Sequence, residues 1–189
     1  QGRADRLFEI GDALAGRAHR KHGQLCALVC GDERLSYDEL MAASARLAGG
    51  MVAAGVRPGE RVALLLGNRI EFVVALFAAA RIGAISVPLS VREQTPGLAY
   101  MLQHCGATLL LHEAELAPIL PEASQLPALR QRWQVGEGGL AAGSSAYADH
   151  AAGPPVPVAP VHEQETAVIL YTSGTTGRPK GAMLTHLGI

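Results

Sequence analysis

The chemistry-bearing residues of this chain are concentrated in one stretch, Tyr171-Thr172-Ser173-Gly174-Thr175-Thr176-Gly177-Arg178-Pro179-Lys180-Gly181. From Ser173 to Gly181 it gathers three hydroxyls, three glycines and one lysine in nine residues. Those types suit a polyphosphate. Glycines let backbone N–H groups converge on oxygen, hydroxyls donate further hydrogen bonds, and lysine adds a mobile positive charge. A P-loop of GxxxxGK[ST] form requires glycine directly before the lysine, whereas here Pro179 precedes Lys180 and Gly181 follows it. No GxGxxG dinucleotide fingerprint is present either. A glycine-rich turn without a ligand would not need Ser173, Thr175, Thr176 and Lys180 together.

Other reactive-looking groups are weaker. His112-Glu113 and His162-Glu163 do not continue into HExxH, and His19 and His22 have no evident third ligand, so no metal site is expected. Asp38-Glu39 belongs to a helix start rather than to a carboxylate pair, and Trp133 is read as core or rim. Cys26, Cys30 and Cys105 form neither an even set nor a CxxC pair. Cys26 and Cys30 lie four apart in an apparent strand, too far for a bridge, and both are expected to be core thiols.

The elements that must position the loop alternate in type. Leu7, Ile10, Leu14 and Ala18 make the apolar stripe of a helix over residues 5–21. A hairpin is expected from Leu25–Cys30 and Arg34–Tyr37 around Gly31-Asp32-Glu33. Ser36 and Glu39 then form a capping box for a helix to about Ala54, stopped by Gly55 and Pro58. Gly49-Gly50 weakens that helix by about 1 kcal/mol per residue relative to alanine, which implies a close packing contact. Arg61–Leu66 reads as a buried strand, Asn68 with Glu71 as the cap of a helix to about Ile82, and Ala84–Leu89 as the next strand, a βαβ unit. That helix is apolar on several sides and should be covered on several sides. Thr95 is expected to cap a helix with Pro96 at its first position and Gly106 at its end, followed by a strand at Thr108–Leu111. Residues 136–160, rich in Gly, Ala, Ser and Pro, read as an irregular surface connection, and Thr166–Leu170 as the strand that delivers the loop. The class is α/β, a largely parallel sheet flanked by helices. The chain divides into an α/β portion (1–135), a connection (136–165), and a strand with the phosphate-binding loop (166–189).

Bulk properties narrow the partners. Sixteen basic and seventeen acidic residues give a net charge of -1, which supplies no field for a nucleic acid or an anionic membrane. At 49% hydrophobic and 17% charged residues the chain has core to bury. Its apolar runs fall far short of the roughly 20 residues a membrane span needs. The three cysteines fit a reducing cytoplasm. With no secretory leader and no initiator methionine at Gln1, the chain is expected to begin inside a longer reading frame.

Here the sequence resembles the adenylate-forming superfamily of acyl-CoA synthetases, luciferase-type enzymes and peptide-synthetase adenylation domains. Tyr171–Gly181 carries the most specific part of the resemblance, and Arg34–Leu40, Gly59–Ala63 and Ala80–Leu89 extend it in the family's order. The resemblance implies that Thr172, Ser173, Gly174, Thr175, Thr176, Gly177 and Lys180 contact the β- and γ-phosphates of ATP, with Tyr171 aiming the loop. It further implies attack of a carboxylate on the α-phosphate with Mg²⁺, release of pyrophosphate, and transfer of the acyl group to coenzyme A. Thr175 and the run Ala182–His186 look more like acyl-CoA synthetases than peptide-synthetase domains, so a fatty or aryl acid is the expected substrate. The catalytic residues, the Mg²⁺ ligand and the base pocket would lie beyond Ile189, in which case this piece alone is inactive and prone to self-association. The alternatives are a peptide-synthetase-type adenylation domain and a short, non-catalytic nucleotide- or partner-binding relative. The segment from His186 is expected to open a helix, with an atypical Leu187-Gly188 start and a role for His186 either near the acyl site or at the helix end.

Overall fold

The computed structural model describes residues 7–8, 20–172 and 178–187. Most of the helix expected over 5–21 lies outside them. A short strand β1 (Leu7–Phe8) pairs antiparallel with β9 (Val161–His162). The hairpin β2 (Cys26–Cys30) and β3 (Glu33–Ser36) forms as expected and leads into helix α1 (Tyr37–Ala53). Both halves of the capping box are made: the Glu39 N–H donates to Ser36 Oγ at 3.2 Å, and the Ser36 N–H donates to Glu39 Oε2 at 2.8 Å. The helix therefore starts with two of its orphan donors satisfied.

Seven strands make the main sheet, in the order β11-β10-β5-β4-β6-β7-β8: β4 (Arg61–Leu65), β5 (Ile85–Pro88), β6 (Leu109–Glu113), β7 (Gln131–Val135), β8 (Ser144–Ala146), β10 (Thr166–Thr172) and β11 (Lys180–Thr185). All neighbours are parallel except the β10–β11 pair. Alternate side chains of the central strands enter two separate cores, as a period of two requires. Val62, Leu64, Leu109, Leu111 and Trp133 pack under α1 and α2 (Ile70–Arg81). Ala63, Leu65, Val87 and Leu110 pack under α3 (Thr95–Cys105) on the other face. The successive crossovers α2 and α3 thus cover opposite faces, so the continuous apolar runs of β4 and β6 belong to strands buried on both sides. Trp133, fully buried, stacks on His150 with ring centroids 4.0 Å apart.

Residues 136–160, expected to be irregular, contain both β8 at the sheet edge and a short helix, α4 (Tyr147–Ala151). Their Gly/Ala/Ser composition hides a packing role. The carbonyl oxygens of Pro154 and His150 lie where Cβ atoms on Gly49 and Gly50 would sit. Val156 N–H also donates to the Ala45 carbonyl at 3.2 Å. The two glycines of α1 are the surface on which the connection docks.

Three cap and burial expectations are corrected. Arg69, extended at φ -132°, is the N-cap residue of α2 and makes no side-chain cap hydrogen bond; Glu71 pairs with it at 3.4 Å instead of capping with Asn68. Gln94 precedes α3, so Thr95 is already helical and its hydroxyl donates across to the Ile119 carbonyl at 2.9 Å. Gly106 does end α3, at φ 62°, a left-handed position that glycine takes without steric cost. Cys26 is exposed and Cys30 half-buried, because a two-stranded hairpin outside the main sheet can bury only one face. The pairing shifts register between Cys26 and Leu28, and the Cys30 thiol donates to the Asn68 carbonyl at 2.8 Å.

Two arginines brace the amino-terminal ends of the strands. Arg61 donates to the carbonyls of Cys105 (2.6 Å), Gly59 (3.0 Å) and Gly106 (3.1 Å), placing a cation on the C-terminal carbonyls of α3. Arg130 grips Glu60 through both carboxylate oxygens, at 2.9 and 2.6 Å. Hydrogen bonding to Arg130, opposed by partial burial, holds the Glu60 carboxyl down at about 2 from an ordinary 4.5. A depressed folded-state pKa adds stability that is complete above the unfolded value and lost as pH falls through the folded one. Glu60→Gln is therefore expected to cost about 0.5–1 kcal/mol near neutrality, as for a partly exposed pair. That difference from wild type, read from urea midpoints, should shrink as pH falls from about 5 towards about 2. A pH-independent difference would show that the pair contributes nothing.

Candidate phosphate-binding site

The candidate loop is carried by a β-hairpin at one side of the sheet. β10 lies parallel to β5, with Val168 opposite Ser86, so its Thr172 end emerges at the carboxyl edge of the parallel strands. Open α/β sheets bind their ligands at that edge. β11 returns antiparallel in the register Thr172↔Lys180, Tyr171↔Gly181, Leu170↔Ala182 and Ile169↔Met183. Directly opposed residues project from the same face. Thr172 and Lys180, both exposed, thus leave from opposed backbone positions where the hairpin opens. Of the seven expected phosphate contacts, these two fall within the described residues and are brought together. Ser173, Gly174, Thr175, Thr176 and Gly177 lie outside the described residues.

Lys180 is not in the loop proper but begins a strand, a feature not expected from the sequence. Lys180–Thr185 alternates poorly in hydrophobicity and presents exposed faces, including Met183 at 70% exposure, so its pattern gives little strand signal. Of the helix expected to open at His186, Gly188 and Ile189 lie outside the described residues. Among the described residues His186 sits in a turn, buried, with its N–H donating to the Glu165 carbonyl at 3.1 Å. It lies at the far end of the hairpin, about 20 Å of strand from Lys180 at roughly 3.3 Å per residue. Burial pushes its imidazole towards the neutral form.

Two residues that the sequence analysis did not single out hold the flanks of the loop. The Tyr171 hydroxyl is 2.7 Å from His104 Nδ1 and donates to the Met101 carbonyl at 3.3 Å. His104 meets the Tyr171 ring edge-on at 5.8 Å and stacks on Tyr100 at 5.5 Å. The Arg178 guanidinium lies 5.6 Å from the centroid of the Tyr100 ring. Burial, with the neighbouring Cys105 and Tyr100 charges adding to it, pushes the Tyr171 phenol up to about 12. It stays protonated and remains a donor at neutral pH. The signal available in the sequence was an aromatic and a histidine four apart on one helix, Tyr100 and His104.

The remaining reactive side chains are structural. His112, fully buried, has Nδ1 2.9 Å from the Glu113 carbonyl and Nε2 2.9 Å from Ser144 Oγ, and burial keeps it neutral. Burial also pushes the Cys105 thiol up, away from reactivity. Among the described residues no three His, Cys, Asp or Glu side chains are grouped to hold a metal, and no helix is long and apolar enough to cross a membrane.

The fold is a doubly covered, largely parallel α/β sheet that presents the Thr172–Lys180 hairpin at the carboxyl edge of its parallel strands. The chain belongs to the AMP-binding enzyme family, whose pattern matches residues 15–189. It is 42% identical over 156 residues to a feruloyl-CoA synthase of an Amycolatopsis species, covering 82% of this chain and 29% of that protein. It is 33% identical over 183 residues to tyrocidine synthase 3 of Brevibacillus parabrevis, covering 97% of this chain and 2% of the relative. Its fold superposes on the anthranilate CoA ligase AuaEII, solved with anthranoyl-AMP, with a TM-score of 0.88 and 27% identity, over 95% of this chain and 35% of that one. The chain thus spans about a third or less of these relatives.

Proposed function

We propose that the chain is the N-terminal part of an ATP-dependent acyl-CoA synthetase, an acid–thiol ligase that releases AMP. The observation that carries this is the pairing of Thr172 with Lys180 at the carboxyl edge of the parallel sheet, at the two ends of a loop rich in glycine and hydroxyls. In this reading Thr172 and Lys180, with Ser173, Gly174, Thr175, Thr176 and Gly177 between them, hold the β- and γ-phosphates of ATP. Their part is to bind and orient the triphosphate and to offset the charge that builds on pyrophosphate as it leaves. A lysine gives a point charge for this and hydroxyls give directional donors. The substrate carboxylate attacks the α-phosphate in the presence of Mg²⁺, and the activated acyl group passes to the coenzyme A thiol. Mg²⁺ has no ligand assigned in this chain.

Coenzyme A, rather than a carrier protein, is supported by Thr175, by the Ala182–His186 run and by the higher identity to feruloyl-CoA synthase than to tyrocidine synthase 3. The acid is a fatty or aryl carboxylate, with feruloyl and anthranilate relatives favouring the aryl class. The three free thiols support a reducing cytoplasm. The experiment gives the full-length protein ATP, Mg²⁺, coenzyme A and a panel of fatty, aryl and amino acids, and follows AMP and thioester by mass spectrometry. Thioester from an aryl or fatty acid is expected. Turnover with amino acids and a carrier protein alone would overturn the acceptor and leave adenylation standing; no adenylate with any acid would overturn the enzyme.

A further inference from the structure

We propose that Tyr100 and His104 of α3 are positioning residues for ATP, fixing the two ends of the hairpin on which Thr172 and Lys180 stand. This rests on the assignment of that hairpin to the triphosphate. Among the described residues β11 ends the order of the sheet and pairs with β10 alone. A strand so paired needs further restraint if Lys180 is to keep a fixed place. Restraint comes from α3. Tyr171, next to Thr172, is tied by its hydroxyl to His104 and Met101, and Arg178, two residues before Lys180, lies over Tyr100.

The two ties form one continuous assembly, because His104 stacks on Tyr100 one helical turn earlier. The run Arg178–Tyr100–His104–Tyr171 thus bridges the strand end before the loop and the residues after it. Its base is rigid: Leu98, Met101 and Leu102 of α3 are buried in the core, and Arg61 ties the helix's last carbonyls to β4. The choice of partners fits a site for an anion. An aromatic face attracts the Arg178 guanidinium without neutralising it, so its positive charge stays available beside Lys180. A carboxylate at position 100 would hold Arg178 equally well but would cancel that charge. The phenol of Tyr171, protonated at neutral pH, likewise brings no negative charge to the mouth of the hairpin.

The test uses pyrophosphate exchange by the full-length protein, with KM for ATP and for the acid measured separately and a thermal melt recorded for each variant. Tyr100→Leu is expected to raise KM for ATP about 2- to 5-fold, the loss of one cation–π contact, with KM for the acid unchanged. Tyr100→Phe keeps the ring face and should restore the wild-type value. Tyr171→Phe should raise KM for ATP about fivefold through the lost hydroxyl. Tyr100→Leu combined with Arg178→Ala should weaken ATP no more than Arg178→Ala alone. Equal rises in both KM values, or effects that follow the melting temperature, would overturn the proposal by making the residues merely structural. So would a silent Tyr100→Leu in a protein whose Lys180→Ala variant has lost ATP affinity. If Lys180→Ala is silent as well, the assignment of the hairpin to ATP fails and this proposal falls with it.

Discussion

Replacing Lys180 with alanine in the full-length protein is expected to raise KM for ATP about 10- to 100-fold, the equivalent of one charge-assisted contact worth roughly 1.5–3 kcal/mol. The KM for the carboxylate should change far less. Lys180 stands opposite Thr172 in an antiparallel pair, so its ammonium is delivered to the hairpin mouth by backbone hydrogen bonding. Truncating the side chain leaves those backbone bonds in place, and the melting temperature should stay near wild type. Lys180→Arg keeps the charge but replaces a compact ammonium with a planar fork, and is expected to recover only part of the affinity. Steady-state kinetics with ATP and acid varied in turn are sufficient. A wild-type KM for ATP in Lys180→Ala would remove the phosphate assignment.

Gly49→Ala and Gly50→Ala should each destabilise the protein by about 1–3 kcal/mol, the usual cost of forcing extra atoms into a packed contact. The sign is the informative part. Alanine within an unencumbered helix is better than glycine by about 1 kcal/mol, so helix propensity alone predicts stabilisation. Here the new methyl groups would overlap the carbonyl oxygens of Pro154 and His150. Those are backbone atoms of a segment tied to α1, with little freedom to withdraw, and Trp133 stacks on the His150 ring above them. Val52→Ala, at an exposed position of the same helix, is the control and should be nearly neutral. Chemical denaturation of the three variants gives the comparison. Stabilisation by either glycine replacement would mean that the connection does not dock on α1.

Much of the architecture was legible in the sequence because its signals are local. Ser36 with Glu39 can only satisfy donors within one helical turn, and Gly106 ends α3 by a conformation intrinsic to glycine. The uninterrupted apolar runs of β4 and β6 announced strands buried on both faces. Where two local signals competed, tertiary contacts decided. Thr95 had a cap-forming hydroxyl, and a carbonyl 24 positions away in sequence took it. Cys26 and Cys30 sat in a plausible core strand, yet their hairpin lies outside the sheet that would have buried them.

The sequence by itself determined which residue types cluster between Thr172 and Gly181, a composition that suits a phosphate, and it determined the alternation of strand and helix that places such a loop at a sheet edge. Only the tertiary structure decided that Lys180 opens a strand opposite Thr172, and that Tyr100 and His104, about seventy residues earlier, hold the two flanks in place. The physical reason is the range of the interactions. Composition and periodicity report what neighbouring residues do to one another, whereas strand register and ring-on-ring contacts between α3 and β10 depend on the sheet order that brings those elements together.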